Sequence, residues 1–292
     1  MSQVAASRGG TPGTAPVREP VREPRVPPAG RPGLGSVVLA VTGSEWTKLR
    51  TVRSTLWALA FTVASTVGLG ALLTWLEVSR WDHRTPAEVA GFDPLLYTLA
   101  GINLAQLSIG VLGVLVMTSE YATGGIAVTL CATPQRRLLL AAKVTTFSVV
   151  VAVVSLVSCL AAFGVCQPLL AARVDGLTLA DPGVLRAVVG GAGRLVLIGV
   201  IAVGLGAILR RTAGAIAVLF AVLLVVPGLV ALLPSPWNND ITKYLPSSAG
   251  AAMSAHDRFP DLLPPAGGLA VLTGYALVTL AVAMLMMERR DA

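Results

Sequence analysis

The sequence predicts an all-α integral membrane protein with six transmembrane helices and an interfacial helix ahead of them. Only 13% of the 292 residues are charged, whereas an average soluble domain has about 25%, and the mean hydropathy is +0.76. The charged residues are also unevenly placed, because six long runs contain almost none of them and the connecting segments contain several each. Such alternation is expected of a chain that passes repeatedly between lipid and water.

The six runs are each long enough to cross a hydrocarbon core as a helix, which takes about 20 residues. They span residues 56–76, 95–118, 144–166, 187–209, 213–233 and 267–287. Five of the runs contain no formal charge, and the fourth contains Arg194. Continuous apolar runs favour helices over a barrel, whose strands alternate polar and apolar residues.

Two segments precede the first span. Residues 1–35 contain seven prolines and a direct Val-Arg-Glu-Pro repeat, so we expect a disordered, Pro/Arg-rich cytoplasmic tail. The tail lacks the apolar stretch of a signal peptide, and no cleaved leader is expected. Residues 36–54 mix apolar side chains with Trp46 and several basic residues, which favours a helix at the lipid headgroups. Residues 36–292 are therefore expected to form one membrane domain.

The positions of Lys and Arg predict the orientation of the chain, because basic residues are retained on the cytoplasmic side of a membrane. Arg210 and Arg211 directly follow the fourth span, and Arg289 and Arg290 directly follow the sixth. With both termini in the cytoplasm, ten Lys and Arg residues lie near the spans on the inner side and seven on the outer side. We therefore expect cytoplasmic N- and C-termini.

Several functional classes lack support in the sequence. The net charge of +7 comes from basic residues that flank apolar spans, so nucleic acid is not an expected partner. There is no P-loop, HExxH or GxSxG motif, and the three cysteines and two histidines form no metal-binding pattern. We expect no enzyme activity and no cofactor on this chain, so any energy source must be external.

Polar residues inside the spans have two interpretations each. Asn103 and Gln106 are three residues apart and share one face of the second span, where they could line a substrate path or form interhelical hydrogen bonds. Arg194 lies in the outer third of the fourth span. Its guanidinium could reach the headgroups or pair with a carboxylate of an outer loop.

The loop between the second and third spans, residues 119–143, is the longest on the cytoplasmic side. It has Glu120 near its start, contains a helix break at Thr133-Pro134, and continues into Arg136 and Arg137. A plain connection would not need this length. The loop could bind a soluble partner, or its charges could simply be solvated.

Four stretches of the sequence, in their order relative to the six spans, resemble one transporter family. The first is Ser44-Glu45-Trp46-Thr47-Lys48-Leu49-Arg50-Thr51-Val52-Arg53-Ser54-Thr55. The second is Ser119-Glu120-Tyr121, followed by Thr129-Leu130 and Ala132-Thr133-Pro134 and closing on Leu140-Ala141-Ala142-Lys143. The third is Leu209-Arg210-Arg211-Thr212-Ala213-Gly214-Ala215-Ile216, and the fourth is Tyr244-Leu245-Pro246-Ser247-Ser248-Ala249-Gly250. Together they resemble the membrane-spanning permease subunits of type-2 ABC exporters, in particular the actinobacterial-type six-helix permeases. One departure is that Ala122 and Thr123 stand where the family has a basic residue after its Glu-Tyr pair.

The resemblance implies a permease half that dimerises with a second copy or a paralogue and exports a substrate across the plasma membrane. Cytoplasmic ABC subunits would bind and hydrolyse ATP. It also implies that the interfacial helix and the loop after the second span couple the two proteins. The residues expected to contact the ATPase subunit are Glu45, Lys48, Arg50, Glu120, Tyr121, Arg136 and Arg137.

Three alternative functions stay open at this point. An ion-coupled secondary transporter would bury carboxylates at mid-membrane, and none of the six predicted spans contains Asp or Glu. A membrane-embedded enzyme would need a cluster of His, Asp or Glu, which the sequence lacks. A structural membrane subunit without transport activity is the remaining alternative.

Overall fold

The chain folds as a bundle of helices. The computed structural model describes residues 34–124, 136–171, 173, 176–235, 237–256 and 261–289. In this part of the chain all regular structure is helical, and six segments are long and apolar enough to cross a membrane. The prediction of an all-α, multi-pass membrane protein is confirmed to that extent. The predicted tail, apart from residues 34 and 35, lies outside the described residues, and so does the loop segment 125–135.

The described part of the chain contains twelve α-helices. We number them α1 Leu34–Thr51, α2 Arg53–Ser79, α3 Pro86–Ala90, α4 Pro94–Thr98, α5 Ile102–Ala122, α6 Arg136–Leu170, α7 Val184–Leu209, α8 Thr212–Phe220, α9 Val226–Val230, α10 Trp237–Thr242, α11 Pro246–Ser254 and α12 Pro265–Arg289. A 3-10 turn, Trp81–His83, lies between α2 and α3, and a π-helix, Ala221–Val225, joins α8 to α9.

Two of the spans are interrupted helices. The second span consists of α4 and α5, and α4 begins at Pro94 with the Asp93 carboxylate accepting a hydrogen bond from the Leu95 N–H at 2.9 Å. The fifth span consists of α8, the π-helix and α9. Pro227 lacks an N–H, so in a regular α-helix the carbonyl of Leu223 would lose its partner; the wider π turn lies directly before this proline.

The third span is longer than its apolar run. α6 begins at Arg136, eight residues before the predicted start at Val144, and continues to Leu170. The sequence-predicted loop therefore ends in a helix. Leu139 and Leu140 are fully buried, so this first part of α6 has an apolar face to pack although it precedes the long uncharged run.

α7 lies at the centre of the bundle, where it contacts α5, α6, α11 and α12. It is the most buried of the six spans, whereas the fifth span, α12 and α2 have the fewest buried residues. The buried face of α2 consists of small and hydroxyl-bearing residues, namely Thr55, Thr62, Ser65, Thr66, Gly70 and Thr74. Its exposed face has Trp57, Phe61, Leu72 and Trp75. Polar groups inside and apolar groups outside are the arrangement that lipid favours.

The short helix α11 packs against both α7 and α12, and its contact with α7 depends on Gly190. A Cβ at this position would overlap the carbonyl oxygen of Met253 on α11. The two backbones therefore approach each other where only a hydrogen fits, as is common between membrane helices.

We predict that Gly190→Ala destabilises the protein by about 1 to 3 kcal/mol, because α11 must move away from α7. The measurement is the free energy of unfolding of the purified protein in mixed micelles. Gly274→Ala is the matched control, because a Cβ at Gly274 in α12 meets no atom within 4 Å. Equal stability of the two variants would contradict the close contact at Gly190.

Candidate functional site

Four charged side chains from three helices meet at the end of the bundle where α1 joins α2. Glu45 and Lys48 come from α1, Glu120 from the last turn of α5, and Lys143 from the start of α6. We call these four residues the charge network, and the end of the bundle that contains them the α1 end. Three of the four were predicted as coupling residues, and the structure brings those three together.

Each carboxylate of the charge network accepts hydrogen bonds from both ammonium groups. Lys143 Nζ donates to Glu45 Oε2 at 2.5 Å and to Glu120 Oε1 at 2.9 Å. Lys48 Nζ donates to Glu45 Oε1 at 2.7 Å and to Glu120 Oε1 at 2.8 Å. Two positive and two negative charges alternate, so the network is neutral as a whole. Glu120 Oε2 is buried and has no hydrogen-bond partner among the described residues.

Burial decreases across the network from Lys143 to Lys48. The Lys143 side chain is 1% exposed and that of Glu45 is 3% exposed, whereas Lys48 is 44% exposed. Removal of one member of a buried ion pair leaves an uncompensated charge and is strongly destabilising. The buried Lys143 ammonium is therefore compensated by the carboxylates of Glu45 and Glu120. Lys48, which pairs with the same two carboxylates, is the member of the network most exposed to solvent.

The pKa of Lys48 is raised above its ordinary value. Burial lowers this pKa, but the hydrogen bonds to Glu120 and Glu45 and their negative charges outweigh burial. A raised folded-state pKa means that the stabilisation from Lys48 is complete below its unfolded pKa near 10.5 and is lost only as the pH rises through the folded value. The Lys48 side chain is therefore protonated and positively charged at neutral pH.

Local sequence places these side chains on the faces that meet. Glu45 and Lys48 are three residues apart and lie on one face of α1 with Leu49, which is buried. Lys143 follows the buried Leu139 and Leu140 at helical spacing, so its side chain points to the interior with theirs. α1 packs against α6 along this face.

A cleft of about 520 Å³ lies beside the charge network, between α1 and the ends of α2 and α5. Its walls are mostly apolar, and the charged groups form one side. The apolar and hydroxyl-bearing lining residues are Leu49, Val52, Ser54, Thr55, Leu112, Leu115, Val116, Ser119 and Thr123.

The other predicted coupling residues lie outside the network. Arg137 is 71% exposed and forms a two-pronged ion pair with Glu288 of α12, in which Nη2 donates to Oε2 at 3.0 Å. Arg50 is exposed on α1. The Tyr121 ring lies 5.0 Å from the Arg210 guanidinium. Arg136 is the first residue of α6, and its side chain lies outside the described part of the structure.

A second polar group lies inside the bundle and connects α5 to α7. Arg194 Nη2 donates to Asn103 Oδ1 at 3.0 Å and to Gln106 Oε1 at 2.8 Å. The two amides thus accept interhelical hydrogen bonds, which is one of the two roles considered for them. Arg194 is 4% exposed, so it does not extend to the headgroups. Among the described acidic residues, none forms an ion pair with it.

Sequence reasoning did not include Lys143 among the coupling residues, although it is the most buried member of the network. The sequence feature that could have identified it is a single lysine three and four residues after Leu140 and Leu139, on the same face of a helix. A lysine on an apolar face needs an acidic partner.

Comparisons with known proteins do not add to this description. No protein-family model matches the chain, and no curated protein matches it.

Within the described ranges, no three His, Cys, Asp or Glu side chains are close enough together to hold a metal ion.

We predict that Lys143→Met lowers the free energy of unfolding by about 3 to 5 kcal/mol, because Glu45 and Glu120 lose a buried counterion. The double variant Glu45→Gln/Lys143→Met should lose less than the sum of its two single changes. Both effects are measurable by unfolding in mixed micelles at neutral pH.

Arg137→Met is the control, because its ion pair with Glu288 is exposed and should contribute little to stability. Strict additivity of the Glu45 and Lys143 changes would contradict an energetic link between them.

Proposed function

We propose that this chain is the permease subunit of a type-2 ABC exporter in the plasma membrane and that a separate cytoplasmic subunit hydrolyses ATP. The observation that supports this most is the charge network. It joins α1, which is one of the two coupling elements that the family resemblance implies, to the end of α5 and the start of α6, which flank the other. The lack of a P-loop in the sequence agrees with a partner that binds the nucleotide.

In this proposal the charge network transmits movement of the ATPase subunits to the spans. α1 and the chain between α5 and α6 contact the ATPase, and the ion pairs make these elements move together. α5 and α6 both pack against α7, so a displacement of their ends reaches the centre of the bundle. Closely packed helices shift as rigid bodies, which would alternate inward and outward openings.

The exposed cations at the α1 end suit a contact with an acidic protein surface. Arg50 and Arg137 are exposed, and the Lys48 side chain is 44% exposed. Charged groups at the rim of an interface increase the rate of association and select the partner. These residues, rather than the buried Glu45 and Lys143, are the proposed points of direct contact.

A second copy or a paralogue completes the exporter in this proposal. The bundle leaves large apolar surfaces on α2, α8 and α12, which lipid or another permease would cover. With the α1 end in the cytoplasm, both termini are cytoplasmic and the substrate moves toward the opposite end. A structural membrane subunit would share these surfaces but would not need a coupled ATPase.

The test is purification of the tagged full-length chain from its native membranes after mild crosslinking. We predict that it retains a protein with a P-loop and that the pair hydrolyses ATP. Arg137→Gln should weaken retention of that protein by about two- to fivefold, because one charged contact is lost.

Arg173→Gln is the matched control for Arg137→Gln. Arg173 is an exposed arginine in a two-pronged ion pair with Asp82, at 2.8 Å for both contacts, and it lies at the opposite end of the bundle. Retention should be unchanged in this variant. If no P-loop protein is retained by the wild-type chain, the exporter proposal is wrong; equal losses in both variants would remove Arg137 from the contact.

A further inference from the structure

The half of α7 nearer its first residue contains the Arg194 guanidinium, which has no carboxylate partner among the residues that the structure describes. Arg194 is ten residues from Val184, the first residue of α7, which places it about 15 Å along the helix. A buried cation at this depth is unfavourable unless its donors and its charge are satisfied. The interhelical hydrogen bonds to Asn103 and Gln106 supply neutral acceptors only.

The described residues do not supply an acceptor for every donor of this guanidinium. Arginine has five N–H donors, and the two hydrogen bonds described above use those of Nη2. Arg194 Nε is buried and has no hydrogen-bond partner within the described ranges of the chain. None of the described acidic residues is within ion-pair distance, as noted above. The group therefore has free capacity for an anionic acceptor.

The position of the Arg194 side chain is fixed by α11. A Cβ at Gly250 would lie 2.7 Å from both Cδ and Nε of Arg194, so the side chain lies directly against the α11 backbone. On its other side it is bound to α5. A donor group held in place before binding loses little entropy when a ligand arrives.

A cavity of about 100 Å³ adjoins Arg194 between α4, α5 and α11. A water molecule occupies about 30 Å³ in the liquid, so this space suits a carboxylate and its first methylene groups. Asn103 and Leu96 line the cavity and are exposed on the apolar surface of the second span, so the cavity opens toward the lipid-facing side.

Asp93 also lines this cavity, and its carboxylate already accepts the Leu95 N–H at the start of α4. An anion in the cavity would therefore face one like charge as well as Arg194. A ligand with a single negative charge at one end is favoured over a polyanion for this reason. Leu96, Leu99 and Leu262 supply the apolar contacts for the rest of such a ligand.

We propose that this cavity binds the carboxylate of a single-chain amphipathic molecule that enters from the membrane. The carboxylate accepts hydrogen bonds from the free donors of Arg194, and the alkyl chain extends past Leu96 into lipid. Charge-assisted bonds to a planar guanidinium select a carboxylate over a neutral hydroxyl group. This inference does not depend on the proposed exporter function, because it concerns binding alone.

The test uses the purified full-length chain in phosphatidylcholine nanodiscs without any other protein. The probes are decanoic acid and decanol with the same photoreactive diazirine, and mass spectrometry measures labelling of residues 94–106. At pH 8.5 the acid should label this segment about tenfold more than the alcohol. Arg194→Gln should abolish the preference, and Arg194→Lys should retain part of it.

Arg173→Gln is the control, because it removes an exposed arginine at the end of the bundle opposite the α1 end. The preference for the acid should persist in this variant. If Arg194→Gln does not fold, competition in the wild type decides: unlabelled decanoate should reduce labelling, and decanol should not. Equal labelling of the wild type by acid and alcohol, or an unchanged preference in Arg194→Gln, would overturn the proposal and leave only water in the cavity.

Discussion

The buried ammonium group of Lys143 is the constraint on which the α1 end of this bundle depends. It lies on the inward face of α6 beside fully buried leucines, where an unpaired charge would be strongly unfavourable. Glu120 from α5 and Glu45 from α1 are the acids that compensate it. The position of α1 is thus set by an ion pair with α6 as well as by its apolar contacts, and the proposed coupling function depends on this connection.

Polar groups hold the rest of the bundle together in a similar way. The inward face of α2 has threonine and serine hydroxyl groups, and Ser108 Oγ of α5 donates to the Ala58 carbonyl of α2 at 2.8 Å. Arg194 of α7 joins α5 through two amide oxygens. An apolar helix surface interacts with lipid chains about as favourably as with another apolar helix. Specific packing of helices in a membrane therefore requires small residues and hydrogen bonds.

The sequence predicted the six spans because each is a long apolar run, and hydropathy depends little on tertiary contacts. The start of α6 at Arg136 was missed because its leucines precede the uncharged run that defined the span and are separated from it by Lys143. Glu45, Lys48 and Glu120 were identified through a family resemblance, but their link to Lys143 requires three helices to meet. For Arg194 the depth in the span suggested an outward side chain, whereas the acceptors on α5 direct it inward.

The role of the charge network in holding α1 against α6 is tested by the distance between these two helices. Double electron–electron resonance between spin labels at Thr47 and Ala141 measures this distance. Both positions are exposed, so the labels should not disturb the packing. We expect one narrow distance distribution in the wild type and a broad one in Lys143→Met, because α1 loses its attachment to α6. A distribution in Lys143→Met that is as narrow as that of the wild type would contradict the central role of the charge network.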